Sequence, residues 1–307
     1  MYPRISDFFQ DAFGVQLPFS IYSFGFMVAI AVAMGIWLTG KEFERYHVLG
    51  RLTDKPLLRK GVAIKPADLT GSLAIIVIVG GFLGSRLFHI FENLDLFVSD
   101  PWGMIFTTGG FTFYGGLIVA GGLIAWWVKH NNLDVRVVAD SLAPSLMLGY
   151  GIGRIGCHLA GDGDWGIVSD LAAKPGFIPD WLWAETYTNN ILDRVLAAPV
   201  YPTPLYEFAA AVFIFAILWK VRKHPYAQGW LFSLYLALSG TERFLIEKIR
   251  VNNEFDLLGM SVTQAEIIST TLILLGLVGL ALTTKRKGRT RNKVDVPAPL
   301  TESPSPN

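Results

Sequence analysis

Residues 151–166 read Gly-Ile-Gly-Arg-Ile-Gly-Cys-His-Leu-Ala-Gly-Asp-Gly-Asp-Trp-Gly, which places Arg154 in a ladder of glycines at the end of an apolar segment. An isolated guanidinium is costly in hydrocarbon and cannot lose its charge by deprotonation. Such an arginine usually faces the interior of a helix bundle or a wet cavity, where it meets an anion. The stretch therefore predicts a membrane helix with a functional site at its end.

The composition indicates a membrane protein that crosses the bilayer several times. Hydrophobic residues make up 52% of the 307 residues, charged residues make up 17%, and the mean hydropathy is +0.43. A soluble domain of this length is less apolar. About 20 helical residues cross a bilayer, and seven segments are suitable: 19–39, 69–91, 110–128, 137–159, 202–219, 229–249 and 262–283.

The distribution of positive charge predicts the orientation. Of the 26 Lys and Arg residues, 18 lie in the first, third and fifth loops and in the tail, whereas 4 lie in the N-terminus and the other loops. By the positive-inside rule, the N-terminus is outside and the C-terminus is cytoplasmic. We therefore predict an all-α integral membrane fold with seven transmembrane helices.

The remaining segments complete the predicted domain organisation. Residues 1–284 form the transmembrane domain, and the loop 160–201, rich in Trp and Tyr, forms a small periplasmic cap. Phe8, Phe9 and Phe13 favour a short amphipathic helix along the outer interface, with a plain flexible terminus as the alternative. Residues 285–307 are basic and then rich in Pro and Ser, which predicts a disordered cytoplasmic tail.

Ionisable residues inside the predicted spans are the candidates for function. Arg243, Glu247 and Arg250 are spaced i, i+4, i+7 and share one helical face near the outer leaflet. Arg154 lies near the same depth at the end of the fourth span, so two or three guanidiniums are expected to lie close together. Their planar, fork-like donors suit the oxygens of a phosphodiester. The other such residues in the spans are Arg86, His89, Asp140, Glu207, Glu242 and Lys248, with His158 at the end of the fourth span.

Structural roles are the alternatives for several of these residues. Arg243 and Glu247 have the i, i+4 spacing of an ordinary salt bridge. The Arg86 side chain could instead snorkel toward the membrane surface or pair with Asp140 on another helix. His158 is either an interfacial histidine or a proton carrier. Glycines spaced four apart favour close helix packing over ligand approach, in the pairs Gly80/Gly84 and Gly149/Gly153. The Gly-Asp steps in residues 161–166 instead favour a tight turn that suits a lipid headgroup.

Several blocks of the chain resemble the prolipoprotein diacylglyceryl transferase family in order and spacing. The central block is Gly153-Arg154-Ile155-Gly156, followed by Gly161-Asp162 and Trp165-Gly166. The others are Tyr22-Ser23-Phe24-Gly25, Gly84-Ser85-Arg86-Leu87, Phe113-Tyr114-Gly115-Gly116, Asp140 with Ala143-Pro144, Pro202-Thr203-Pro204-Leu205-Tyr206-Glu207, and Arg243 with Glu247 and Arg250. The resemblance covers about residues 19 to 283.

This resemblance implies a multi-pass enzyme of the bacterial inner membrane. Such an enzyme transfers the sn-1,2-diacylglyceryl group of phosphatidylglycerol to the lipobox cysteine of a prolipoprotein signal peptide and releases glycerol phosphate. Its implied partners are these two substrates and membrane lipids, without nucleic acid. Arg154 would hold the lipid phosphate, Arg243 would balance charge on the departing phosphate, and Glu247 would orient Arg243. Electrostatic stabilisation and positioning need no metal or cofactor. The chain has one cysteine, and the spacing of its His, Cys and carboxylate residues does not resemble that of a metal site.

The predicted site residues follow from the spans and the resemblance together. Those for binding phosphatidylglycerol are Arg154, Gly153, Gly156, Asp162, Asp164, Arg86 and Arg250, and the catalytic ones are Arg154, Arg243, Glu247, Tyr114 and His158.

The chain departs from the family pattern at several of these positions. Tyr114 stands where the family has His, Cys157 where it has Asn, Phe24 where it has Tyr, and Asp162 or Asp164 where it has Glu. Tyrosine, with an ordinary pKa near ~10, is a poor base at neutral pH. His158, or ionisation of the thiol itself with a reference pKa of about 8.5, would replace it. The alternatives are a family-like protein of altered activity, a lipid or anion transporter, and a metal-dependent transferase. A transporter would typically show two halves with matching interrupted helices. A metal-dependent transferase would show a clustered Asp-x-x-x-Asp pattern in its spans, and the predicted spans contain neither feature.

Overall fold

The structure is a computed structural model that describes residues 1–16, 18, 20–53, 55, 57–59, 62–106, 112–252, 254–257 and 260–285. Within these residues the chain is mostly helical. The elements in chain order are α1 (Ile5–Phe13), α2 (Ser23–Val48), β1 (Leu58–Arg59), β2 (Val62–Ala63), α3 (Asp68–Glu92), α4 (Leu94–Ser99), α5 (Pro101–Phe106), α6 (Phe113–His130), α7 (Val135–Ala160), α8 (Asp180–Trp183), α9 (Thr203–Val221), α10 (Trp230–Glu247), β3 (Glu254–Leu257), β4 (Met260–Thr263) and α11 (Gln264–Thr284).

Each of the seven predicted segments corresponds to one long helix in the described part of the chain: α2, α3, α6, α7, α9, α10 and α11. Four of them, α2, α3, α9 and α11, are long and apolar enough to cross a membrane. These features fit an all-α membrane protein. The predicted tail, residues 285–307, lies outside the described residues apart from Lys285.

Two details differ from the sequence-based expectation. Helix α2 continues nine residues beyond the predicted end at residue 39, because Phe43 and Tyr46 are buried and Arg45 pairs with Glu42 at 2.5 Å. The short antiparallel hairpins β1–β2 and β3–β4 were not anticipated by the all-α prediction. The second hairpin leads into α11, where Thr263 accepts the Glu266 N–H at 3.2 Å and donates its own N–H to the Glu266 side chain at 3.0 Å.

The described residues form two compact units, one made of Met1–Thr39 and the chain from Ala139 onward, and the other made of Gly40–Val138. In the second unit, α3 packs closely against α6. A Cβ on Gly84 would lie 2.5 Å from the Gly115 carbonyl oxygen, and one on Gly80 would lie 2.8 Å from Leu123 Cδ1. Helix packing is therefore confirmed for the Gly80/Gly84 pair.

In the first unit, α7, α9 and α10 share an apolar core that includes Ala143, Met147, Ala211, Leu218 and Leu231. Asp140 of α7 accepts the backbone N–H groups of Gly229 at 2.7 Å and Phe232 at 2.8 Å, so it caps the N-terminus of α10. A Cβ on Gly149 or Gly153 would meet no other described atom within 4 Å. The packing alternative is therefore wrong for that pair.

Gly151, between those two glycines, makes the close contact instead. A Cβ there would lie 2.8 Å from Ala211 Cβ, which lets α7 approach α9. The chain from residue 160 to residue 201 folds around Trp165, Tyr187 and Val200. At the N-terminus, α1 is helical with exposed Phe8, Phe9 and Phe13, which agrees with the amphipathic helix of the two alternatives, whereas its position along a membrane interface stays a prediction.

Candidate functional site

Arg154 lies near the end of α7, where it is buried at 9% exposure. The close approach of α7 and α9 at Gly151 places Glu207 of α9 beside it. Arg154 Nη2 donates to Glu207 Oε1 at 2.7 Å. Arg154 Nη1 donates to Asp164, in the loop that follows α7. The predicted anion-binding arginine thus meets two carboxylates of its own chain.

Arg250 completes a closed ring of charges. It follows α10, and a backbone bridge to Gly166 holds it beside the loop that carries Asp164. Arg250 Nη2 donates to Asp164 Oδ1 at 2.7 Å, and Nη1 donates to Glu207 Oε1 at 3.2 Å. We call Arg154, Arg250, Asp164 and Glu207 the ion quartet. Its two guanidiniums and two carboxylates balance, which lowers the cost of holding charge in a water-poor place.

Polar side chains extend the quartet into the core. Tyr150, one turn before Arg154, donates its hydroxyl hydrogen to Glu207 Oε2 and also interacts with Glu242 of α10. Glu242 is 8% exposed, and its Oε1 has no hydrogen-bond partner among the described residues. Its charged neighbours are Glu207, Arg243 and Arg154. Tyr150 was missing from the predicted site, although its i−4 spacing from Arg154 puts it on the same helical face.

Arg243 and Glu247 form a separate pair on α10. Arg243 Nη2 lies 2.8 Å from Glu247 Oε2, and Asn252 donates to Glu247 Oε1 at 2.7 Å. The Glu247 side chain is 1% exposed and that of Arg243 is 28% exposed. The i, i+4 salt bridge is therefore present, and it holds a partly exposed guanidinium by means of a buried carboxylate.

The two aspartates of the loop differ in their surroundings. Gly161 and Gly163 have φ values of 61° and 98°, which glycine adopts readily, and they shape the turn that carries both. Burial raises the pKa of Asp162, and the charge of Asp164 raises it further. Burial also raises the pKa of Asp164, but Arg154 and Arg250 outweigh this and hold it below its usual value. Of the two, Asp164 is the carboxylate that pairs with Arg154.

The same loop contains a set of atoms with metal-ligand chemistry. Ligand atoms of Cys157, Asp162 and Asp164 lie within 4.8 Å of one another. Asp164 already binds two guanidiniums, whose positive charges oppose a cation there. This donor set therefore fits a metal ion poorly.

His158 has a hydrogen-bond partner in the loop 160–201. Its Nδ1 lies 3.1 Å from the Tyr187 hydroxyl, and the two rings pack edge to face at 5.5 Å. This hydrogen bond agrees with a structural role for His158, whereas its position at a membrane interface stays a prediction. The catalytic role of His158 stays a prediction.

The other predicted residues have varied surroundings. A Cβ on Gly153 would meet no described atom within 4 Å, whereas one on Gly156 would lie 3.2 Å from Phe24 Cα. Gly156 thus allows α7 to contact α2. Arg86 is buried in α3 and Tyr114 is the second residue of α6, both in the second unit. The Tyr114 side chain lies outside the described part.

Comparisons with known proteins identify the family. A family model described as prolipoprotein diacylglyceryl transferase matches residues 10–282. A phosphatidylglycerol–prolipoprotein diacylglyceryl transferase of Vibrio vulnificus is 32% identical over 287 residues, covering 91% of this chain and 93% of that protein. The protein of the same name from Aeromonas hydrophila is 30% identical over 275 residues, covering 88% of each chain. The chain belongs to the prolipoprotein diacylglyceryl transferase family of enzymes.

Proposed function

We propose that this enzyme transfers the diacylglyceryl group of phosphatidylglycerol to the lipobox cysteine of a prolipoprotein. The sulfur of the cysteine attacks the glyceryl carbon that carries the phosphate ester. A carbon–sulfur bond forms, the carbon–oxygen bond breaks, and glycerol phosphate leaves with the electron pair. The thiol proton passes to a base or to water. The relatives named for this reaction support the assignment.

The ion quartet carries this proposal. A phosphodiester presents oxygen atoms that match the planar fork of a guanidinium, and Arg154 and Arg250 offer two such forks side by side. Both arginines are largely buried, so they are preorganised and lightly hydrated. Hydrogen bonds in such a place stabilise developing charge more strongly than in water.

Arg243 is proposed to balance the charge of the departing phosphate. Glu247 holds the Arg243 guanidinium at 2.8 Å, and Asn252 in turn holds Glu247. A side chain fixed in this way loses little entropy when it meets the leaving group. Glu247 is therefore a positioning residue for Arg243.

The thiol of the lipobox cysteine must lose its proton during the transfer. His158 shares a hydrogen bond with Tyr187, which orients its ring. Tyr114 occupies the family's His position but has the reference acidity of a phenol. We propose His158 or direct ionisation of the thiol for this step, with Tyr114 as the further candidate. Gly153, Gly156 and Asp162 are further proposed lipid-binding residues of the first unit, and Arg86 is a proposed lipid-binding residue of the second unit.

The proposed setting is the bacterial inner membrane. Seven spanning helices, residues 1–284, would place the N-terminus outside and the basic tail, 285–307, in the cytoplasm. The four apolar helices α2, α3, α9 and α11 support a membrane location. With this orientation the ion quartet and the cap 160–201 lie toward the periplasm, where exported prolipoproteins present their cysteine.

A reconstituted transfer reaction tests the proposal. Membranes containing the enzyme are incubated with labelled phosphatidylglycerol and a lipobox peptide, and the peptide is analysed for a thioether-linked diacylglyceryl group. We expect product with the wild type and with Arg136→Ala, which removes an arginine paired with Asp134 at 3.0 Å. Arg154→Ala should yield no product. Absence of product with correctly inserted wild-type enzyme would refute the proposed function.

A further inference from the structure

Asp164 and Glu207 bind the same two arginines but differ in exposure. The Asp164 side chain is 35% exposed, whereas that of Glu207 is 1% exposed. Asp164 presents one oxygen to Arg154 and the other to Arg250, so its carboxylate bridges the two guanidiniums. Tyr150 donates to the other oxygen of Glu207, Oε2, and so anchors that carboxylate. Asp164 is thus the carboxylate of the quartet that can exchange with a ligand.

The backbone of Asp164 is held independently of its side chain. Thr203 Oγ1 donates to the Asp164 carbonyl oxygen at 2.8 Å, and the Asp164 N–H donates to Asp162 Oδ1 at 3.3 Å. Gly166 further along donates its N–H to the Tyr201 carbonyl at 2.9 Å. A rotation about the side-chain bonds of Asp164 therefore suffices to move its carboxylate away, without displacement of the loop.

The two arginines retain unused donors. The Nε–H groups of Arg154 and Arg250 are buried and have no hydrogen-bond partner among the described residues. Arg154 itself is nine-tenths buried. Buried donors without partners are uncommon in folded proteins. They fit an anion with more acceptor oxygens than a carboxylate, and a phosphodiester has such a set.

We propose that Asp164 occupies the phosphate position between Arg154 and Arg250 in the lipid-free enzyme and leaves it when a phosphodiester binds. This inference rests on the proposed function for the identity of the lipid. Replacing one monoanion by another keeps the ring neutral. A phosphomonoester dianion would leave it with one uncompensated negative charge in a water-poor site, so the exchange favours phosphodiester lipids over phosphomonoester lipids.

Competition between Asp164 and the lipid phosphate for the two arginines weakens the apparent affinity for the lipid, and the size of this weakening can be worked out. A site that is accessible in a fraction of molecules binds its ligand more weakly by that fraction. If Asp164 is seated in about nine of ten molecules, its removal strengthens apparent binding about tenfold. The same competition helps to expel glycerol phosphate, which is a phosphomonoester, after the transfer.

The test measures binding of short-chain phosphatidylglycerol to the purified full-length enzyme in detergent by calorimetry. Asp164→Asn should bind about tenfold more tightly than the wild type. Asp180→Asn is the matched control, because Asp180 lies in the same outer loop but pairs with Lys174. It should leave the affinity unchanged. Equal or weaker binding by Asp164→Asn would overturn the proposal, and Asp164→Ala repeats the comparison if the first variant is unstable.

A second arm uses the wild type alone. At pH 8, short-chain phosphatidic acid carries close to two negative charges, because the second pKa of a phosphomonoester is about 6. Phosphatidylglycerol should bind at least about fivefold more tightly, since the charge balance favours a monoanion. Equal binding, or tighter binding of phosphatidic acid, would overturn the exchange. If the wild-type enzyme binds phosphatidylglycerol but does not transfer its diacylglyceryl group, only the proposed function is refuted. If the wild-type enzyme is active but Asp164→Asn does not bind the lipid more tightly, only this inference is refuted.

Discussion

Replacement of Glu207 by glutamine is a direct test of the ion quartet. Glu207 accepts hydrogen bonds from Arg154 at 2.7 Å and from Arg250 at 3.2 Å, and its side chain is 1% exposed. A hydrogen bond to a charged acceptor contributes about 1.5–3 kcal/mol, compared with about 0.5–1.5 kcal/mol for a neutral one. Two weakened bonds therefore cost about 2–3 kcal/mol. The excess positive charge left behind brings the loss toward the ~3–5 kcal/mol typical of a broken buried pair.

The measurement is the thermal unfolding midpoint of purified enzyme in detergent. A loss of about 3–5 kcal/mol lowers the midpoint by roughly 6–20 °C, taking about 2–4 °C per kcal/mol for a chain of a few hundred residues. Glu44→Gln, which changes an exposed glutamate of α2, serves as the control and should change the midpoint little. An unaltered midpoint in Glu207→Gln would show that the quartet does not stabilise the fold and would refute the reasoning.

Four further predictions use the same protein. Arg154→Lys should lose at least about 100-fold in kcat/KM, because an ammonium lacks the bidentate fork, and a rate near that of the wild type would contradict phosphate binding by Arg154. Cys157→Ser should keep substantial activity, because a diacylglyceryl thioether on Cys157 would be unreactive; complete loss in an inserted protein, together with lipid attached to the wild-type enzyme, would contradict this. Asp162→Asn should raise the unfolding midpoint at pH 7. Burial raises the pKa of Asp162 in the folded protein, so at pH values above about 3.9, the pKa of an aspartate in the unfolded chain, the charged form of Asp162 destabilises the fold. That gain should vanish below about pH 4, and a gain that persists there would contradict the electrostatic cause. A periplasm-active reporter fused after Ala184 should be active and one fused after His130 inactive, and the reverse pattern would overturn the orientation.

The long helices were predictable because hydrophobicity is a local property of the sequence. Each predicted segment overlaps one long helix, and most ends agree within a few residues. The end of α2 was less predictable, because burial of Phe43 and Tyr46 depends on the folded chain and overrides the polar composition around them. The β3–β4 hairpin has only four residues in each strand, which is too short for a clear alternating pattern.

The arginines of the site were predictable because charges inside apolar segments are conspicuous. Their partners were harder to assign, since the pairing of Arg154 with Glu207 joins residues 53 positions apart. The choice between Asp162 and Asp164 depended on the turn made by Gly161 and Gly163, whose positive φ values direct the second aspartate toward the guanidiniums. Sequence spacing alone left that choice open.

The ion quartet also explains how closely spaced arginines persist in so apolar a chain. A bare pair of guanidiniums would repel each other and attract water or a stray anion, whereas two carboxylates make the ring neutral before lipid arrives. Hydrophobic residues in these positions would often stabilise a fold equally well. The charged arrangement therefore has its advantage in function: a buried carboxylate, Glu207, keeps the arginines in position, and a half-exposed one, Asp164, can give way to phosphate without a net change of charge.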